Sequence, residues 1–233
     1  MSKVFIKSVQ EAGIEPEDIR QAFEWLDWEH IIPEGARVFV KPNLTWPTPL
    51  PGVTTTPKAM ESLTIVLKER TDHITFGESD GGYHAYDVEE AFEGHNLYEL
   101  RDRYGISVVN LTDLPSETVE GVIAGKKVAA NLPCMLLHDI DVFITMPVPK
   151  THVMTRVSLG FKNQWGCVPS PMRLREHYAF DHKIVLINKL LKPKLAVMDG
   201  TYFLDGAGPM TGDTIPMKLL IVEDDIDFAE ALS

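Results

Sequence analysis

The sequence predicts an α/β fold: a mainly parallel sheet flanked by helices, with one antiparallel hairpin excursion. Three observations carry that prediction. Strand-like and helix-like segments alternate for most of the 233 residues. Runs such as VFITM read as buried strands, as the strands of a parallel sheet do. Residues 116–133 break the alternation, placing β-branched residues on both sides of Ala124-Gly125, and read as a hairpin.

The elements follow in order. VFIKSV (4–9) opens as a strand. EPEDIRQAFEWLDW is helical, with Pro16 suited to a first turn and Ile19, Phe23 and Leu26 at helical spacing. ARVFVKPN is a strand, and residues 57–70 form a helix capped by Thr56 with Pro57 at its first position. HITFGES (73–79) is the third strand, one or two acidic helices run on to Arg103, and ISVVNL (106–111) is the fourth. After the hairpin, DVFITMPV (141–148) and KLAVMDG (194–200) return to buried strands separated by helical segments. MKLLIVEDD (217–225) is the last strand. No internal repeat or inter-domain linker is visible, so residues 1–233 read as one α/β domain. DIDFAEALS reads as the opening turns of a helix, which leaves open whether a closing segment follows Ser233.

Charge and composition narrow the function. The formal charge is −12, with 34 acidic against 22 basic residues, which speaks against a nucleic-acid or anionic-membrane surface. No apolar run reaches the roughly 18 residues that span a bilayer. The N-terminus interrupts its apolar stretch with Lys3, Lys7 and Glu11, unlike a secretory signal, so cytoplasmic residence is expected. The 2 cysteines fit a reduced compartment and are too few for an intrinsic iron–sulfur cluster, which takes about four. Basic residues concentrate between Lys150 and Lys194, so an anion is expected there.

Ligands of parallel α/β sheets sit outside the carboxyl ends of strands. Four stretches put unusual residues at such ends: 41–57, 77–84, PKTHVMTRVSLGFKNQWG, and 199–213. Lys41 closes a mostly apolar strand, where its ammonium needs a partner, a ligand or a route to solvent. Asn43 suits a turn or the orientation of a ligand. Thr54, Thr55 and Thr56 offer hydroxyls and backbone N–H groups at a helix N-terminus, a place for a carboxylate or phosphate. Glu78 and Asp80 suit a cation or a substrate hydroxyl better than a phosphate. Lys150 and His152 fall on one side of an extended segment, two residues apart, and pair an anion contact with a group that titrates near neutrality. Lys162 and Asn163 follow closely.

His177 and Asp181 would be i,i+4 neighbours on a continuous helix, which YAF makes uncertain. His152, His177 and His182 could hold a divalent metal, although no diagnostic spacing supports it. Asp199 could orient a base, ligate a metal or cap a turn. The catalytic candidates are therefore His152, Lys150 and Asp199, and the ligand contacts Lys41, Asn43, Thr54, Thr55, Thr56, Lys162 and Asn163.

The ordered set VFVKPNL, GVTTTPKAM, PVPKTH, SLGFKNQWG, HKIVLINKLLKPKLAVMDG and GPMTGD resembles the domain-of-unknown-function family 362, from about residue 37 to 213. That family often occurs with four-iron–four-sulfur ferredoxin modules, which implies redox chemistry. No cysteine-rich module is present here, so the resemblance implies an external ferredoxin-like donor. Members usually continue through a further helical region, so Ser233 is an early end. A looser similarity, in element order alone, is to the N-terminal half of lactate-racemase-type proteins, which use a nickel pincer nucleotide. The leading expectation is an enzyme with a cleft for a small anionic ligand, with reductase as its nearest class. The alternatives are a noncatalytic ligand-binding or accessory protein of a redox or biosynthetic pathway, and a metal-dependent racemase or hydrolase. Substrate and oligomeric state are not readable from the sequence.

Overall fold

The computed structural model describes residues 3–224, except the side chains of His177 and Tyr178; the segment DIDFAEALS lies outside the described residues. The first half of the chain runs β1 (Val4–Ser8), α1 (Pro16–Trp25), β2 (Val38–Pro42), α2 (Pro57–Leu67), β3 (Ile74–Glu78), α3 (Val88–Gly94), α4 (Leu97–Tyr104) and β4 (Ser107–Asn110). A hairpin follows, β5 (Ser116–Ile123) and β6 (Lys126–Pro133), then α5 (Cys134–His138) and β7 (Val142–Met146). Short elements β8 (Lys150–His152), β9 (Arg156–Ser158) and α6 (Gly160–Asn163) lead to α7 (Phe180–Leu191), β10 (Leu195–Asp205) and β11 (Asp213–Asp224).

The main sheet has the order β1-β11-β10-β7-β2-β3-β4. The stretch from β10 to β4 is parallel, while β11 is antiparallel to both its neighbours. Every residue of β2 and of β7 is buried, because the sheet is covered on both faces. Val38, Val40, Val142 and Ile144 pack with α1, α2, α3 and α4 on one face. Phe39 and Phe143, whose rings are 5.3 Å apart, pack with α7, α5 and the hairpin on the other. Each such aromatic or branched side chain contributes roughly 1.5–3 kcal/mol by leaving water.

Local signals set the ends of elements. The Thr56 hydroxyl accepts the Ala59 N–H and Pro57 occupies the first turn of α2. At the hairpin tip Ala124 and Gly125 have φ of 48° and 76°, as a two-residue type I′ turn requires, and Ile123 pairs with Lys126. The hairpin forms its own two-stranded sheet over α7 instead of extending the main one.

The last strand begins at Asp213 and not at 217, and two further differences from the sequence reading bear on the site. The strand starting at Leu195 continues to Asp205, so Asp199 lies within a strand and not at its end. Residues Pro171–Ala179 are 3-10 helical and α7 begins only at Phe180; Ala179 leaves helical geometry at φ −118°, ψ 18°. The continuous helix that would make His177 and Asp181 i,i+4 neighbours is therefore not formed.

Strand order also fixes where a ligand can enter. From β2 the chain steps outward to β3 and β4, then returns to place β7 on the opposite side of β2. The direction of winding reverses between β2 and β7, which end level with each other at Pro42 and Met146. Connections diverge there and leave a crevice above the carboxyl ends.

Candidate functional site

A cavity of about 310 Å³ occupies that crevice, within the size range of small-molecule sites. Lys41, Asn43, Lys150, His152, Lys162 and Asn163 all line it, joined by Glu78, Tyr86 and Arg173. Thr54, Thr55, Thr56 and Asp199 do not. His182 sits on α7, away from the lining, and the His177 side chain lies outside the described residues.

Lys41 extends from the end of β2 and is 1% exposed. Its ammonium donates to Glu78 Oε2 at 2.5 Å and to the Pro42 carbonyl at 2.8 Å. Glu78 Oε1 also accepts the Ser79 N–H at 3.0 Å. The buried charge demanded by the sequence is thus met by the chain's own carboxylate. Gly166 closes over this pair: a Cβ there would stand 2.5 Å from Glu78 Oε1 and 2.8 Å from Lys41 Nζ.

The three threonines are engaged internally. Thr55 Oγ1 accepts the Asn43 N–H and donates to the Met146 carbonyl, both at 2.8 Å, tying the ends of β2 and β7 together. Thr54 Oγ1 accepts the Leu50 N–H at 2.9 Å. Thr56 donates its N–H and its hydroxyl to Asp199 Oδ2 at 2.8 and 2.7 Å. The other Asp199 oxygen accepts the Thr201 N–H and hydroxyl at 3.1 and 2.6 Å. A carboxylate does occupy the N-terminus of α2, and it is Asp199. Asn163 donates its amide to the Lys41 carbonyl and to Thr145 Oγ1, both at 2.9 Å, fixing α6 to the strand ends.

Lys150 and His152 project from β8 on the side facing the crevice, while Thr151 between them turns to the Gly206 carbonyl. Lys150 is 1% exposed and donates to the Val53 carbonyl. Burial, reinforced by the nearby charge of Lys162, lowers its pKa from 10.5 to about 7. Lys162, on α6, is lowered by burial to about 8. Its Nζ stands 2.7 Å from His152 Nε2, and His152 Nδ1 accepts the Met154 N–H at 3.1 Å. With Nδ1 an acceptor, a neutral imidazole carries its proton on Nε2. Above the Lys162 value of about 8 the 2.7 Å bond then runs from Nε2–H to the lone pair of the uncharged amine. Both ring nitrogens are engaged, and among the described residues no three His, Cys, Asp or Glu side chains form a metal-holding group.

Arg173 and Tyr86 were not picked out in the sequence. Arg173 donates to the Asp80 carbonyl at 2.9 Å and the Ser170 carbonyl at 3.2 Å, and burial lowers its pKa. Its one sequence signal is membership of the basic run from Lys150 to Lys194. Tyr86 donates to the Leu44 carbonyl at 2.5 Å, and burial, with Glu78 adding, pushes its hydroxyl well above the usual phenol range. Trp46, Leu174 and Met210 supply apolar walls.

With β2 and β7 setting the switch point and these side chains crowning it, the molecule is an α/β protein with a cationic crevice at its strand ends. The chain belongs to the family described as Domain of unknown function (DUF362), whose profile matches residues 38–230. It is 34% identical over 95 residues to the Thylakoid-associated protein sll1697 of Synechocystis sp., a stretch covering 38% of this chain and 30% of that protein. A crystal structure of a protein from Thermotoga maritima overlays 90% of this chain and 55% of its own, at 13% identity and a TM-score of 0.46. The chain thus spans under a third of the curated relative and about half of the solved one. No helix among the described residues is long and apolar enough to cross a membrane.

Proposed function

We propose that the crevice binds a small organic anion and that the protein is a cytoplasmic enzyme acting on it, with His152 and Lys162 handling protons. One observation carries the reading. Lys150, Lys162 and Arg173 line a single cavity, and their hydrogen-bond partners among the described residues are carbonyls and an imidazole. The one carboxylate in the lining, Glu78, is held by Lys41. Basic groups gathered in this way repel one another when protonated, and an anion relieves the repulsion. Each charge-assisted hydrogen bond to it contributes about 1.5–3 kcal/mol. The apolar side chains that share the lining, Trp46, Leu174 and Met210, suit a ligand with a carbon skeleton over a bare inorganic ion. The reductase reading, with its external ferredoxin-like donor, rests on family resemblance, and the metal-dependent reading on His152, His177 and His182, of which only His152 lines the cavity among the described side chains.

The test is calorimetric titration of the full chain with sulfate and with lactate. Lys150→Ala is expected to weaken binding by about tenfold or more while still unfolding in one cooperative transition. Equal affinities in wild type and variant would sink the reading.

A further inference from the structure

We propose that the Lys162 amine condenses with the carbonyl carbon of a 2-oxo acid to form an imine, which assigns a substrate class to the crevice. The inference rests on the anion-binding reading above and adds the reacting atom to it.

Among the cavity's three lysines only Lys162 meets the requirements of a nucleophile. Lys41 is an ammonium held by Glu78, and Lys150 is fully enclosed with its nitrogen donating to the Val53 carbonyl. Lys162 is less enclosed, reaches the cavity, and faces an imidazole in place of a carboxylate. With His152 Nδ1 accepting the Met154 N–H, the Nε2–H is the one directed at Lys162, and above its value of about 8 the amine is the acceptor. An amine that accepts a hydrogen bond has a lone pair, and a lone pair is what attacks a carbonyl. Burial of Lys162 acts in the same direction. Lys150 and Arg173 supply positive charge for the carboxylate, while Trp46, Leu174 and Met210 offer apolar surface to the carbon chain.

The step balances without any oxidant. The lone pair of Nζ forms the C–N bond, and the carbonyl π pair moves to oxygen. Both hydrogens of the amine end on that oxygen, which leaves as water as the C=N bond forms. His152 Nε2–H, released from the amine lone pair by the attack, is placed to hydrogen-bond the departing oxygen. It acts as a positioning residue for the amine before the attack.

Reductive trapping tests this. The full chain is incubated with phenylpyruvate and cyanoborohydride, the modified peptide is located by mass spectrometry, and sulfate binding is titrated in the same preparation. The expected result is one adduct, on Lys162, suppressed by excess lactate. Lys162→Arg, shown to be folded by its unfolding transition, should give none, and His152→Asn should form it about tenfold more slowly. Sulfate binding without an adduct overturns the imine and leaves the anion site standing. Adducts spread over surface lysines to the same extent in Lys162→Arg overturn it as well. Loss of both signals would sink both readings.

Discussion

Lys150 is an electrostatic liability to the fold, because burial disfavours its charged form. Its folded pKa of about 7 lies below the ordinary 10.5, so between those values the unfolded chain binds more protons than the folded one. Stability therefore rises with pH across that window, and the penalty is fully present below about pH 7. Each unit corresponds to about 1.36 kcal/mol, so the effect is of the order of a few kcal/mol. Lys150→Met should accordingly be more stable than wild type at neutral pH, less the roughly 1 kcal/mol lost with the Val53 hydrogen bond. Its advantage should shrink towards pH 10.5. Urea midpoints across that range check this, and parallel profiles for the two proteins would refute it. A residue that lowers stability at neutral pH and lines a cavity is better explained by a ligand than by the fold.

Among the elements, α2 tests the distinction between structure and chemistry. Asp199 accepts four hydrogen bonds, two from each of Thr56 and Thr201, and does not line the cavity. Asp199→Ala should cost about 2–4 kcal/mol in chemical denaturation, from lost charge-assisted bonds and a weakened helix start, while folded protein keeps its sulfate affinity. A loss of affinity without a loss of stability would return Asp199 to the site. Gly166→Ala should be at least as damaging, because its methyl group would collide with the Lys41–Glu78 pair. Far-ultraviolet dichroism and urea melts of this variant report the cost directly. These elements also mark what the sequence could and could not reveal. The hairpin was legible because Ala124-Gly125 sits between two β-branched runs, and α2 because Thr56-Pro57 caps it. Alternation alone placed Lys150 and His152 on one side of β8. The partner of Lys41 was not legible: Glu78 is 37 residues away, and only the pairing of β2 with β3 brings it near. Arg173 was hidden in a 3-10 segment with no periodic pattern, and Asp199 looked terminal because the strand runs on past Gly200.

For the whole molecule, strand order decides where chemistry can occur. Reversal of the winding between β2 and β7 opens a crevice, and residues from β2, β8 and α6 converge there although they span positions 41 to 163. A chain of net charge −12 nonetheless brings Lys41, Lys150, Lys162 and Arg173 to that one cavity. The central claim is that an anion binds there by restoring a proton to Lys150. It is tested most directly by titrating sulfate calorimetrically above the Lys162 value of about 8, in buffers that differ in ionisation heat. Uptake of on the order of one proton per sulfate, lost in Lys150→Ala together with most of the affinity, is the expected result. Sulfate binding with no proton uptake and with equal affinity in both proteins would contradict the account.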